Sequence, residues 1–81
     1  MNGENARPGL AYIMRELDAT RWHEDPEGYV ISVKILGRRR CRNYLIRPND
    51  LTGIEQALEN DTIPLRVRAE DYTRLADSDY R

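Results

Sequence analysis

The sequence predicts one small α+β domain with the element order α-β-β-α-β-α, in which a three-stranded, mainly antiparallel sheet carries its helices on one face. Three observations predict this class: an apolar stripe at helical spacing near the start, two alternating stretches joined at a glycine, and a third alternating stretch between two further helical segments. The 81 residues are 40% hydrophobic and 33% charged. This length allows a single domain, and the composition excludes both a disordered tail and a membrane protein.

The N-terminal part is predicted to be a flexible arm followed by a helix. Residues 1–8 are polar, so we expect an arm there and the α+β domain over residues 9–81. Apolar side chains then recur every three or four residues, which predicts an amphipathic helix over residues 9–20. Its stripe consists of Leu10, Ile13, Met14 and Leu17. Residues 22–28 are polar and contain a proline and a glycine, which are typical of a loop.

The middle of the chain is predicted to be a β-hairpin. Residues 29–36 and 40–47 alternate and are rich in β-branched and aromatic side chains. A two-residue Gly37-Arg38 turn of type II′ suits the link between them, because this turn needs glycine at its first central position. The resulting register places Ile31 opposite Tyr44, Tyr29 opposite Ile46 and Leu36 opposite Arg39.

The second half is predicted to contain a helix, an edge strand and a last helix. Thr52 and Glu55 match a capping box, which predicts a helix over residues 53–60. Residues 63–67 alternate, and their second residue is a proline, which suits an edge strand. Helical spacing returns over residues 69–77. The sheet face turned away from the helices is expected to present Ser32, Lys34 and Asn43 to solvent or to a partner.

Residues 62–75, with the sequence TIPLRVRAEDYTRL, resemble the strand and first helix of ribbon-helix-helix repressors. In that family an alternating strand is followed by an acidic helix start and a leucine stripe. The resemblance covers fourteen of the 81 residues and does not include the second helix of the family. We therefore interpret it as ordinary strand-to-helix patterning.

Charge is unevenly distributed along the chain, although the net charge is only −1. Residues 26–48 carry six basic side chains and one acidic side chain, whereas acidic residues are in excess on both sides of this segment. Nearly all the basic residues are arginines, whose planar forks suit carboxylate or phosphate partners. The sequence therefore predicts one central basic element that binds something anionic.

The strongest candidate site is this arginine-rich hairpin. Its candidate residues are Lys34, Arg38, Arg39, Arg40, Arg42, Tyr44 and Arg47, together with Trp22 as either a core lid or an exposed anchor. The first hypothesis is a small regulator or inhibitor that docks on an acidic patch of a larger protein. The second is DNA or RNA binding through the same hairpin. The third is a homodimeric structural subunit that pairs edge strands near Pro64, and the remaining reading is a solvated hairpin without a partner.

No motif points to catalysis, a metal or a cofactor, so we expect a non-enzymatic protein. His23, Glu24 and Asp25 are consecutive, and consecutive loop residues rarely converge on one ion. Cys41 is the only cysteine, which excludes an intrachain disulfide and suits a reducing, cytoplasmic location. No apolar run is long enough to cross a bilayer, so we expect no membrane partner. Glu70 and Asp71 are interpreted as acids that favour the start of the last helix.

Overall fold

A computed structural model of the protein describes residues 7–62 and 66–80. In chain order its elements are helix α1 (Pro8–Leu17), strands β1 (Arg21–Asp25), β2 (Gly28–Lys34) and β3 (Arg40–Ile46), helix α2 (Pro48–Glu59), a 3₁₀ turn (Ala69–Asp71), and strands β4 (Thr73–Arg74) and β5 (Ser78–Asp79). The α+β class and the antiparallel sheet are confirmed, whereas the described residues form five strands instead of the predicted three, and the predicted element order matches only in part. Most of the predicted arm and residues 63–65 of the predicted third strand lie outside the described residues.

The sheet is antiparallel, with β1, β2 and β3 forming a meander and both short C-terminal strands pairing with β3. Tyr29 lies opposite Ile46, and Ile31 lies opposite Tyr44. The predicted register is therefore confirmed within the strands, whereas Leu36 and Arg39, which were also predicted to pair, lie in the connection between them. A shift by one residue would turn the apolar side chains of one strand to the wrong face, so the hydrophobic pattern alone determines the register.

The turn between β2 and β3 is not the predicted type II′ turn on Gly37 and Arg38. The amide of Arg38 donates to the carbonyl of Ile35 over 3.1 Å, so the turn is centred one residue earlier. Gly37 has a φ of 76°, which suits the third position of a type II turn. The connection consequently spans residues 35–39, and Leu36 lies outside β2.

The polar loop predicted at residues 22–28 is wrong, because most of this segment forms β1 and the rest forms a tight turn. β1 pairs with β2 along its whole length, and Trp22 lies opposite Ile31. In the turn, the carboxylate of Asp25 accepts a hydrogen bond from the amide of Glu27 over 3.0 Å. β1 is an edge strand whose central side chains are exposed, so the strand forms without an alternating apolar pattern. Its polar sequence is therefore indistinguishable from that of a loop.

The helix predicted over residues 69–77 is also wrong. A 3₁₀ turn is followed by two short strands that run along β3, where Asp79 lies opposite Arg40. Between these strands the amide of Leu75 donates to the carbonyl of Asn43 over 2.8 Å. The edge of β3 presents backbone amides and carbonyls that need hydrogen-bond partners. Pairing of the C-terminal segment with this edge outweighs the preference for a helix that its apolar spacing indicates. The acidic helix start of the ribbon-helix-helix resemblance is therefore absent.

Both long helices begin and end at points that local hydrogen bonding explains. α1 ends earlier than predicted because Asp18 adopts a left-handed φ of 58°. α2 begins with a proline in its first turn, several residues before the predicted start. The carboxylate of Asp50 accepts a hydrogen bond from the amide of Arg47 over 3.0 Å. The predicted capping box of Thr52 and Glu55 is therefore wrong, and Asp50 has that role.

The hydrophobic core lies between the two helices and one face of the sheet, as the sequence predicts. Its buried side chains are Leu10, Ile13, Ile31, Tyr44, Ile46 and Leu51. The alternation in β2 and β3 and the stripe of α1 thus meet in one cluster. Trp22, Tyr29 and Val33 extend the cluster along the sheet as partly buried side chains.

Glu55 connects the two helices at the end of the core. Its carboxylate accepts hydrogen bonds from the Arg7 guanidinium, through Nε over 3.2 Å, and from the amide of Gly9 over 3.1 Å. These bonds to the ionised form lower the pKa of Glu55, with Arg7 as the largest cause. A side chain of α2 therefore satisfies a free amide in the first turn of α1.

Candidate functional site

The helices cover only the inner half of the β2–β3 hairpin. Along β2 the side chain of Ile31 is 0% exposed and Val33 is half-buried, while Leu36 beyond the strand end is 97% exposed. Along β3 Tyr44 is 6% exposed, whereas Arg42 is exposed on the same face. The helix-facing side of the outer half is therefore exposed and carries Arg42, while the other side buries Cys41 and β5 pairs with the edge of β3 there.

Three of the predicted basic residues contact groups of the molecule itself. Arg40 forms an ion pair with Asp79 over 3.1 Å. Arg47, at the other end of β3, lies 3.8 Å from the carboxylate of Glu27 and donates to a threonine hydroxyl of β4 over 2.8 Å. Lys34 Nζ lies 5.2 Å from the ring centroid of Tyr80. The six predicted basic residues therefore do not form one cluster, because Arg40, Arg47 and Lys34 each contact a different part of the molecule.

The other three basic residues, Arg38, Arg39 and Arg42, are exposed and form no ion pair with any described residue. Strand spacing of about 3.4 Å per residue places Arg39 and Arg42 within roughly 10 Å of each other. We call Leu36, Arg38, Arg39 and Arg42 the basic tip. It combines one fully exposed apolar side chain with three guanidinium groups that are available to a partner.

The two aromatic candidates lie inside rather than at the basic tip. Tyr44 is buried in the core cluster. Trp22 is half-buried against that cluster and packs edge-to-face on Tyr29, with ring centroids 5.7 Å apart. Tyr44 is therefore withdrawn into the core and Trp22 is partly so, and neither belongs to the exposed arginine surface. Homodimer pairing near Pro64 concerns a residue outside the described ranges.

The other face of the sheet is partly covered by the C-terminal segment. Ser32 is buried, and its hydroxyl donates to Asn43 Oδ1 over 2.7 Å. Asn43 Nδ2 in turn donates to the carbonyl of Ala76 over 2.9 Å and to the hydroxyl of Ser78 over 3.0 Å. The expectation that this face presents Ser32 and Asn43 to solvent is wrong, because Ser32 is buried against Asn43 and Asn43 bonds to the C-terminal segment; Lys34 alone of the three stays exposed.

A shallow groove of about 530 Å³ remains on this second face. It is lined by Arg21, His23, Asp25, Val30, Ser32, Asn43, Leu75, Ala76 and Ser78. Beside it, the guanidinium of Arg21 lies 5.5 Å from the ring centroid of Tyr80, which also contacts Lys34. Tyr80 thus fixes the C-terminal segment against two cations of the sheet.

The titratable side chains that the sequence singled out are distributed over separate elements of the fold. Over residues 7–62 and 66–80, no group of three His, Cys, Asp or Glu side chains is arranged to hold a metal ion. Cys41 is fully buried opposite Lys34, and His23 lies in the edge strand with Glu24 on the other face of the sheet. Glu70 and Asp71 belong to the 3₁₀ turn. None of the helices described is long and apolar enough to span a membrane.

Sequence reasoning missed two features of the site. It assigned Leu36 to a strand, although the glycine that follows allows the turn to begin at Leu36 itself. It also left Arg40 unpaired, because Asp79 is 39 residues away and reaches it only through the pairing of β5 with β3. The turn position of Leu36 has a local signal in the sequence, namely the glycine that follows it. The ion pair of Arg40 with Asp79 has no such signal.

We compared the chain with protein-family models, with curated proteins and with solved structures, and none of them matches it.

Proposed function

We propose that this protein is a non-enzymatic binding module, acting as a regulator or inhibitor, that docks through its basic tip on an acidic surface of a larger cytoplasmic protein. One observation carries the proposal. Leu36, with a side chain that is 97% exposed, stands among three exposed arginines that form no ion pair with the described residues.

The basic tip has the composition of an interface centre. An exposed leucine gains free energy when a partner covers it, at about 25 cal/mol per Å² of apolar surface removed from water. Arginine is enriched at interface hot spots and forms bidentate hydrogen bonds with carboxylates. The surrounding arginines therefore supply orientation and fast association, while Leu36 supplies the apolar contact.

The hairpin also holds these side chains in place before binding. β2 and β3 pair over six residue pairs, and the helices bury the inner end of the ribbon. A preorganised surface loses less conformational entropy on association than a disordered loop of the same composition. The exposed ribbon can therefore act as a rigid probe for a complementary acidic patch.

Several features favour a protein over a nucleic acid as the partner. The apex residue Leu36 has no favourable contact to make with phosphates. Tyr44 is buried, so it offers no ring for stacking on bases. Asp79 neutralises Arg40, and Asp77 pairs with Arg74 over 3.0 Å in the adjacent segment. These acids reduce the electrostatic attraction that nucleic-acid binding depends on.

The test compares variants that have the same charge change at different places. The tip variant carries Arg38→Glu, Arg39→Glu and Arg42→Glu, and the control carries Arg15→Glu, Arg66→Glu and Arg68→Glu, which are exposed residues outside the hairpin. The unmodified chain is used to capture proteins from an extract of the cells that naturally make it, and the captured proteins are identified. The affinity of each purified candidate for the unmodified chain and for each variant is then measured. We expect the tip variant and Leu36→Ser to lose a partner that the control variant retains. A partner that binds the tip variant as tightly as the unmodified protein contradicts the proposal.

The same variants also test whether the partner is a nucleic acid. Mobility shifts on duplex and single-stranded probes at low salt are expected to show no complex. If a complex forms and the tip variant reduces the slope of log affinity against log salt by about three, the arginines contact phosphates. That outcome replaces the protein partner with a nucleic acid.

A further inference from the structure

The outer edge of β1 is uncovered. β1 pairs with β2 on one side, and no described residue pairs with its other side. The opposite edge of the meander differs, because β4 and β5 cover β3 there. An uncovered strand edge presents backbone amides and carbonyls that can pair with a further strand.

The sequence of β1 is complementary to itself in the antiparallel direction. Its five residues are Arg21, Trp22, His23, Glu24 and Asp25. If a second copy lies antiparallel with the two-fold axis at His23, each Arg21 lies opposite Asp25 of the other copy. Opposite charges that face each other across a strand pair stabilise it, and symmetry produces this pair twice.

Other registers of the same symmetric pairing are less favourable. An axis at Glu24 places the two Glu24 carboxylates opposite each other, which destabilises a strand pair. An axis at Trp22 places Arg21 opposite His23 and pairs only three of the five residues. The register centred on His23 pairs the full strand and leaves no like charges opposite each other.

The charged groups that this pairing uses have no ion-pair partner among the described residues. The guanidinium of Arg21 lies over the Tyr80 ring, and the carboxylate of Asp25 accepts a hydrogen bond from the backbone amide of Glu27. Both side chains belong to the face of the sheet that carries the groove. Each can therefore gain an ion pair on dimerisation without breaking one.

We propose that the outer edge of β1 is a homodimerisation surface, where a second copy of this chain pairs antiparallel about His23 and the two sheets become continuous. Five residue pairs bury less area than a standard protein interface, so the dimer is weak and forms in the micromolar to millimolar range. This proposal does not depend on the proposed function, because the basic tip lies in the hairpin on other strands.

The test exchanges the charges of β1. Arg21→Asp alone and Asp25→Arg alone each place like charges opposite each other twice, so each is expected to weaken self-association at least roughly tenfold. A mixture of the two single variants restores both opposite-charge pairs in a heterodimer. We therefore expect sedimentation velocity to show monomers for either variant alone and dimers for the mixture.

The controls separate loss of pairing from loss of the fold. The double variant Arg21→Asp with Asp25→Arg regains complementarity and is expected to dimerise, and circular dichroism confirms the fold of each variant. The tip variant of the hairpin is expected to self-associate like the unmodified chain. A chain that stays monomeric into the millimolar range overturns the proposal, and so does a dimer that either single reversal leaves intact.

Discussion

The two halves of the β2–β3 hairpin are made of the same strands in one unbroken register, but they differ in what covers them. The inner half lies under α1 and α2, where Ile31 and Tyr44 join the core. The outer half extends past the helices and ends in the basic tip, where Leu36 is almost fully exposed. One continuous ribbon therefore passes from the interior of the molecule to Leu36, the most exposed large hydrophobic residue among those the structure describes.

This difference separates stability from binding. Burying a large aliphatic side chain stabilises the fold by about 1.5–3 kcal/mol, whereas an exposed side chain contributes little to folding. The inner half supplies the free energy that keeps both strands in register. The outer half is consequently free to carry side chains that would be costly to bury in a core, such as the three arginines beside Leu36.

The largest expected effect is the loss of a core side chain from the inner half. Ile31→Ala removes a fully buried side chain and leaves a cavity between the helices and the sheet, so we expect unfolding to become easier by about 3 kcal/mol. The measurement is urea unfolding followed by the fluorescence of Trp22. In a domain of this size such a loss is a large fraction of the total stability.

Leu36→Ala is the matched control for this prediction. It removes an aliphatic side chain from the same strand-turn-strand unit, yet we expect a change of less than about 0.5 kcal/mol because the side chain is already in water. A large loss of stability for Leu36→Ala would show that the outer half is covered by the protein itself, and the comparison between the halves would fail.

A smaller effect is expected where the two halves of the hairpin meet. Asn43→Ala removes the acceptor of the buried Ser32 hydroxyl and the donor to Ala76 and Ser78. An unpaired buried hydroxyl costs about 1–3 kcal/mol, so we expect a loss of roughly 2 kcal/mol. Amide hydrogen exchange is expected to accelerate first in β4 and β5, because this side chain anchors the segment between them.

Asn43→Asp sharpens the same prediction. It keeps the oxygen that accepts from Ser32 but loses the amide group that donates to the C-terminal segment. We expect it to accelerate exchange in β4 and β5 as Asn43→Ala does, with β2 and the inner end of β3 still protected. Equal acceleration along β2 would show that Asn43 supports the whole sheet rather than the C-terminal segment.

The hairpin could be predicted from the sequence because its information is local. Alternation over β2 and β3 determines which side chains face the core, and the apolar matches of Ile31 with Tyr44 and Tyr29 with Ile46 determine the register. Alternation alone would turn Arg42 toward the core, because it shares a face with Tyr44 and Ile46; its charge and its position beyond the helices leave it exposed. Leu36 was assigned wrongly because alternation alone does not mark the residue at which a strand becomes a turn.

The strands at the edges could not be predicted in this way. β1 is polar because an edge strand needs only partial burial, so its sequence resembles a loop. The C-terminal segment has helical spacing at Tyr72 and Leu75, but its backbone pairs with residues of β3 that lie 28 to 39 positions earlier in the chain. The ion pair of Arg40 with Asp79 depends on that long-range pairing, and nothing in the local sequence indicates it.

The smallest expected change in stability concerns Glu55, which connects α2 to the start of α1 above the inner half of the hairpin. Glu55→Gln removes the carboxylate charge that faces Arg7 and the amide of Gly9, so we expect a loss of about 1 kcal/mol near neutral pH. The hydrogen bonds lower the pKa of Glu55 in the folded protein below its ordinary value. The contribution is therefore fully present above the pKa of the unfolded chain and disappears as the pH falls through the lower, folded pKa.

This pH dependence separates the charge of Glu55 from the packing of the helices. Urea unfolding as a function of pH is expected to show the stability of the unmodified protein approaching that of Glu55→Gln as the solution is acidified below the ordinary pKa of 4.5. The tip variant is expected to keep this convergence, since its substitutions lie in the outer half. If the difference between the two proteins stays constant with pH, the glutamate acts through its shape rather than its charge, and the helices cover the inner half without help from this ion pair.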